Sequence, residues 1–326
     1  MDFIEKPSGC FCDRALLESD LKQVDVMMTT LDAEHYLERS LFTIYREVPV
    51  RRLIICDGGS KDSTVELLKK FPRLSLHIRP DLKTEAKSME FLFNELETEW
   101  CVYLDGDIEL AEGWYDQMCM HKDKFDVIEN GKAYSAFHKY RFEEEKLKQE
   151  TRALTDCHLF KKDALKNFHV DDDYGWRHDD FILRQTVEQS GFKYGKANNT
   201  YHVHNETERI PYQSDSTKSY RKVVMDEPKQ IIIDEKLYKK KEEEIAKGII
   251  KYLDPNHHLV KSSPGIIFAI RILDRKWIED TNPAWLEKYD ESQSKKSKIK
   301  YKIYKNFIEN NKSGFVTKLA KKSKQK

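Results

Sequence analysis

Arg52-Leu53-Ile54-Ile55-Cys56-Asp57-Gly58-Gly59-Ser60-Lys61-Asp62-Ser63-Thr64 is the stretch that decides the fold. It opens as an apolar run of strand length and halts on an acid followed by two glycines. From Ser63 the pattern turns helical, with Glu66 three residues on in capping-box spacing, and it runs to Phe71-Pro72. Outward from this point the same unit repeats. Upstream, Val24-Asp-Val-Met-Met-Thr-Thr-Leu31 reads as a short buried strand, followed by helical periodicity through Tyr36, Leu37, Leu41 and Ile44. Downstream, Leu74–Ile78 is a third strand, about 84–97 a helix, and Trp100–Leu104 a fourth strand ending on Asp105-Gly106-Asp107. Strands alternating with helices predict an α/β fold with a parallel sheet and right-handed crossovers. In such sheets ligands bind at the carboxyl ends of the strands, where Asp57, Asp105 and Asp107 fall.

Beyond Asp107 the signals thin. Tyr134–Tyr140 reads as an edge strand, Phe142–Glu150 as a charged helix or loop, and Ala153–Phe160 as another strand. A helix opens at His178-Asp179-Asp180 and ends at Ser190-Gly191, with glycine as its terminator. Phe192–Val203 is a strand pair or a strand and a loop. From about 215 onward the chain is helix-like and rich in Lys and Glu. The expected organisation is an N-terminal segment over 1–22, an α/β domain over 23–210, a helical extension over 211–290 and a basic tail over 291–326.

The chain has 326 residues, with 57 basic groups balancing 57 acidic ones, which argues against a globally basic nucleic-acid binder. No stretch approaches the roughly 18 to 20 apolar residues that cross a bilayer, and the N-terminus lacks a signal-peptide pattern. Cys10, Cys12, Cys56, Cys101, Cys119 and Cys157 show no paired CxxC spacing. A reducing, cytoplasmic setting is expected.

Residues 24–107 resemble the family-2-type glycosyltransferases of the GT-A fold, on three pieces that match in order and spacing. Val26-Met-Met-Thr-Thr-Leu-Asp32 resembles the opening strand with its Thr and Asn or Asp, which places Thr30 and Asp32 at the nucleotide sugar. Cys56–Thr64 resembles the Asp-Gly-Gly-Ser-x-Asp-x-Thr turn, and Tyr103-Leu-Asp-Gly-Asp107 the DxD motif. Each piece makes chemical sense. A carboxylate such as Asp57 can accept from the N3–H of uracil, while Gly58 and Gly59 let the backbone turn close to base and ribose. Asp105-Gly106-Asp107 suits Mn²⁺ or Mg²⁺, which take carboxylate and diphosphate oxygens together. The resemblance makes Asp107 the direct metal ligand and Asp105 the contact to ribose or to a coordinated water. Without the match, these turns would read as ordinary strand-to-helix and strand-to-strand connections.

The resemblance reaches further in isolated landmarks. His202-Val-His204 follows the last core strand, where the family often completes its metal site with histidine; His202, after Thr-Tyr, matches better. The plain alternative is a structural histidine. Asp179-Asp180 resembles the family's Glu-Asp pair, with Asp180 as the base that deprotonates the acceptor and Asp179 as its neighbour. Asp replaces the usual Glu at the first place, which leaves the roles exchangeable, and acids also open helices simply to complement the macrodipole. Trp176 stacks on a sugar or belongs to the core. Arg79 and Lys83 are the candidate cations for the diphosphate.

The resemblance implies transfer of a sugar from a UDP- or GDP-sugar to a hydroxyl acceptor on a glycan, lipid or protein, with inversion and with Mn²⁺ or Mg²⁺. A nucleotidyltransferase making nucleotide sugars would show a Gly-rich opening turn, which Thr29-Thr30-Leu31-Asp32 lacks. A non-catalytic nucleotide-sugar-binding module would not need both DxD carboxylates and the Asp179-Asp180 pair. The tail has twelve lysines against two glutamates between Glu291 and Lys326. With its interleaved apolar residues it reads as a peripheral seat on the inner face of a membrane, or as a solvated appendage. Ile266–Leu273 is too short to span and is either interfacial or core.

Overall fold

The computed structural model describes residues 12–18, 21–135, 148–149, 157–172, 179–205, 222–223, 231–232, 235–300 and 302. The chain divides into two compact units, one of residues 1–174 and 182–208, the other of 175–181 and 209–326.

A strand covered on both faces is largely apolar, and the centre of the first unit is built on such strands. These are β1 (Val24–Thr30), β2 (Val50–Asp57) and β4 (Trp100–Asp105), while β3 (Leu74–Ile78) is an edge strand and only half-buried. Val26, Met27, Met28, Leu53, Ile54, Ile55, Val102 and Leu104 are fully buried. After β4 come β5 (Ile108–Leu110), β6 (Val127–Asn130), β7 (Ala133–Ser135) and β8 (Lys148–Gln149). The series ends with β9 (Cys157–Lys161), β10 (Tyr194–Ala197) and β11 (His202–His204). The main sheet has seven strands in the order β10-β6-β9-β4-β1-β2-β3, and a second sheet runs β5-β11-β7-β8. The helices are α1 (Arg14–Leu17), α2 (Leu37–Glu47), α3 (Thr64–Leu68), α4 (Glu85–Glu95), α5 (Trp114–Cys119) and α6 (Asp179–Gln189), of which α6 belongs to this unit only from Ile182 on. Leu37, Leu41 and Ile44 of α2 form one buried stripe in the core.

Three expectations change. The sheet is mixed rather than parallel, because β9 lies antiparallel between β4 and β6. An apolar run reports burial and carries no sign of direction. The capping box at Ser63 does not form: Asp62 accepts from the Thr64 amide at 3.0 Å, and Glu34 takes the Ser63 amide at 2.9 Å. The helix also stops at Leu68, short of Phe71. Of the edge strand expected over 134–140, only Tyr134 and Ser135 fall among the described residues; nearly all of 142–150 and the start of 153–160 lie outside them.

The sheet buries a charge. Glu129 of β6 is 1% exposed and accepts from Arg184 of α6, from Lys196 at 3.1 Å and from the Tyr194 hydroxyl at 3.0 Å. The Tyr194 proton is thereby engaged, so His158 donates to its oxygen at 2.7 Å. Burial, then the charge on Glu129, holds the Tyr194 phenol well above its ordinary pKa.

From residue 235 the second unit is helical: α7 (Glu235–Tyr252), α8 (His258–Ser262), α9 (Pro264–Ile270), α10 (Arg275–Thr281) and α11 (Leu286–Gln293). Ile266, Phe268, Ile270 and Leu273 are buried there, so that apolar run is core. Trp285, fully buried, donates its indole N–H to the Leu253 carbonyl at 3.0 Å.

Arg184→Met should destabilise the protein by about 3 kcal/mol, the low end for breaking a buried pair, because Lys196 and Tyr194 still face Glu129. The denaturant midpoint reads this, and a variant within about 0.5 kcal/mol of the parent would show that the pair contributes nothing.

Candidate nucleotide-sugar and metal site

The parallel register sets the site. Thr30 lies opposite Asp57 across β1 and β2, and Thr29 opposite Asp105 across β1 and β4, so the three strand ends share one edge. Chain order runs outward from β1 to β3, then returns to β4 on the other side of β1. That reversal opens the crevice where open α/β sheets take ligands.

Asp57 is fully buried and its carboxylate is saturated. Oδ1 accepts from the Gly59 and Ser60 amides at 2.9 and 2.8 Å, and Oδ2 from the Thr30 and Ser60 hydroxyls at 3.0 and 2.6 Å. Gly59 needs its glycine, since φ is +91° and a Cβ would stand 3.1 Å from Pro80 Cβ. Ser60 Oγ also accepts from the Asp32 amide at 2.9 Å, Asp32 takes the Lys61 amide at 2.8 Å, and Thr64 Oγ1 takes the Ala33 amide at 2.7 Å. The Asp-Gly-Gly-Ser-x-Asp-x-Thr turn is thus a clasp joining the loops after β1 and β2. A base N–H reaches Asp57 only where the hydroxyl of Thr30 or Ser60 yields its place.

The DxD turn has a different environment. Asp105 is half-buried and accepts from the Tyr103 hydroxyl at 2.6 Å, while Glu85 faces the same hydroxyl at 3.0 Å. Burial, then the charges of Asp105 and Glu85, hold the Tyr103 phenol well above its ordinary pKa, so it remains a donor. Gly106 is buried with Thr30 Cγ2 3.4 Å from where its Cβ would be. Asp107 leads into β5, which pairs antiparallel with β11 and sets His204 opposite Ile108 and His202 opposite Leu110. His204 Nε2 accordingly lies 3.2 Å from Asp107 Oδ2, with both residues buried. Asn205 fixes this junction, giving its backbone N–H at 2.9 Å and its side-chain amide at 3.0 Å to the Asp107 carbonyl. The two histidines do share a face, but two strand residues span about 6.6 Å, so only one meets Asp107. His202 instead donates from Nδ1 to Asn130 Oδ1 at 2.9 Å, an oxygen that also accepts from the Trp114 indole at 3.2 Å.

One edge thus gathers Thr30, Asp32, Asp57, Gly58, Asp105, Gly106, Asp107 and His204. Lys83 is exposed, with φ +61°, at the end of a short turn following β3. Arg79 is engaged by Asp81 at 2.7 and 2.9 Å and lies over the Phe91 ring. Asp179 and Asp180 form the first turn of α6, half-buried, and Trp176 lies outside the described residues. Sequence reasoning missed Glu85, Tyr103, Asn130 and Asn205. Glu85 looks like a routine helix-opening acid and Tyr103 like part of an apolar strand; the asparagines carry no local signal.

A carboxylate beside an imidazole, with a second carboxylate two residues earlier, is a donor set for a divalent cation. The remaining positions of such an ion go to diphosphate oxygens and water.

Asp57→Asn places an amide donor against existing donors, so a stability loss of about 1–3 kcal/mol is expected. Thermal unfolding measures it, and an unchanged midpoint would remove the clasp from the account.

The glycosyl transferase family 2 model matches residues 25–227. Among solved structures, S. aureus TarS 1–349 in complex with UDP-GlcNAc is 11% identical, covering 83% of this chain and 91% of its own, with a TM-score of 0.47. Glucosyl-3-phosphoglycerate synthase from Mycobacterium tuberculosis, in complex with Mn²⁺, UDP and glucosyl-3-phosphoglycerate, is 12% identical. It covers 61% of this chain and 77% of its own, with a TM-score of 0.39. The bifunctional IspDF from Campylobacter jejuni is 11% identical over 55% of this chain and 50% of its own, with a TM-score of 0.35. Comparison with curated proteins gives no match. At these identities and scores the solved structures do not bear on substrate or mechanism. The family model spans most of the chain, and the protein belongs to glycosyl transferase family 2, a glycosyltransferase with a GT-A-like α/β fold.

Proposed function

We propose that the enzyme moves a sugar from a UDP- or GDP-linked donor to a hydroxyl acceptor, with inversion and with a divalent cation. What carries this reading is the pairing of Asp107 with His204, which sets a buried carboxylate and an imidazole together beside Asp105. Asp107 and His204 would hold the ion, and Asp105, oriented by Tyr103, would contact ribose or a coordinated water. The imidazole in the set favours Mn²⁺ over Mg²⁺, which prefers oxygen ligands. When bound, the cation supplies Lewis-acid stabilisation of the charge growing on the leaving nucleoside diphosphate. Lys83 is the exposed cation for that diphosphate. Asp180 takes the proton from the acceptor hydroxyl, and Asp179 holds the acceptor, in the roles the family resemblance assigns.

Turnover is expected to collapse in Asp107→Ala and in excess EDTA. A thermal-shift titration of nucleotide sugars with and without Mn²⁺ identifies the donor. In it His204→Ala should lose the Mn²⁺-dependent shift that His202→Ala keeps. Full activity in EDTA would sink the metal assignment, and the opposite histidine pattern would move it to His202.

Asp180→Asn should lower kcat by about two to four orders of magnitude, the span of general-base loss, with nucleotide binding intact. Near-normal kcat in Asp180→Asn together with a collapse in Asp179→Asn would exchange the two roles.

A further inference from the structure

Charge is segregated along this chain. Residues 291–326 hold twelve lysines and two glutamates, a net +10, and with 57 groups of each sign in total the first 290 residues carry −10. The structure describes where the basic part begins. The chain is helical over 295–300 and at 302, and Ser294 caps the start by accepting the Ser297 amide at 3.2 Å. Lys295, Lys296, Lys298, Lys300 and Lys302 are all exposed, as is Ile299 at 55%, and none of 295–300 is buried.

Such a helix opposes its own charges. Lys295 and Lys296 sit in the first turn, at the positive end of the macrodipole. Lys296 and Lys300, and Lys298 and Lys302, are like-charge pairs at i, i+4. Among the described residues none of these five lysines has an ion-pair partner. A negatively charged surface removes both penalties. Ile299 in the described helix, and Tyr301, Ile303, Tyr304, Phe307 and Ile308 in the sequence around it, distinguish among such surfaces. An aqueous polyanion gives an exposed aliphatic side chain nothing, whereas the headgroup boundary of a bilayer takes it up.

We infer that the helical residues 295–300 and Lys302 dock on an anionic bilayer surface, seated by their lysines and by insertion of Ile299. This stands apart from the donor-site reading, since it uses no residue of that site. The test is co-sedimentation of the intact chain with phosphatidylcholine vesicles containing phosphatidylglycerol, against phosphatidylcholine alone. Binding is expected only to the anionic vesicles. It should fall as salt rises from about 0.1 M to about 1 M, which shortens the screening length from about 10 Å to about 3 Å. Lys295→Gln, Lys296→Gln, Lys298→Gln, Lys300→Gln and Lys302→Gln combined should weaken partitioning by about fivefold per engaged lysine, equivalent to about 1 kcal/mol each. Ile299→Ser should weaken it further at fixed charge.

A chain ending at Ser294 provides the second variant. It keeps α11 whole, including buried Ser292 and Gln293, whose amide donates to the Arg271 carbonyl at 2.8 Å. It should no longer bind anionic vesicles, while hydrolysis of the donor in solution is unchanged. Equal partitioning of intact and altered chains, or equal binding to both vesicle types, overturns the assignment. So does a single-stranded RNA that binds the segment as tightly as the vesicles and is indifferent to Ile299→Ser, because the partner would then be a nucleic acid.

Discussion

The buried carboxylate of Asp57 is the constraint on which the carboxyl edge of the sheet depends. Among the described residues no cation pairs with it, and burying a carboxylate is costly unless its oxygens are satisfied. Four donors meet that demand, two from the turn that follows it and two hydroxyls, one of them from the neighbouring strand end. Those bonds dictate the path of the chain. The Gly59 and Ser60 amides converge on one oxygen only if the backbone turns through a positive φ at Gly59. Ser60 then links the turn to Asp32. The motif is therefore an architectural device first, and any contact it makes with a nucleotide operates through a loop already held in place.

The second fixed point is the junction of the DxD turn with β11. Asp107 and His204 are 97 residues apart in sequence, yet a three-residue antiparallel ladder and the double hydrogen bond from Asn205 put them in contact. Asp107 sits in the two-residue turn between β4 and β5 and His204 in β11, so the flanking strands fix both side chains, an arrangement suited to a site whose geometry must not drift. Asp105 is oriented by its own neighbour on β4, Tyr103, whose elevated phenol pKa keeps the donated proton in place.

Tyr103, His158 and Glu129 are also direct neighbours across β4, β9 and β6, so a polar row crosses the middle of the sheet. The row ends in Glu129, with Arg184 and Lys196 as its cations. Buried networks of this kind add specificity of register where apolar packing alone tolerates slippage. The cysteines lie outside this chemistry. Burial pushes the Cys101 thiol up to about 12, and Cys56 is raised for the same reason, so both behave as small apolar side chains.

By itself the sequence determined the strand–helix alternation, the positions of the first four strands to within about two residues, and the acids at their ends. These are local matters: burial on both faces demands a continuous apolar run, and Asp-Gly-Gly terminates one. The family likeness was legible for the same reason, since its motifs are turns. Only the tertiary structure decided that β9 runs antiparallel, that Asp57 is already saturated, and that Ile266–Leu273 is core. It also decided that His204, not the better-matching His202, meets Asp107. Strand direction, lone-pair occupancy and burial depend on partners distant in the chain. Two histidines on one face of a strand are equivalent until the register of β5 against β11 separates them by one strand repeat.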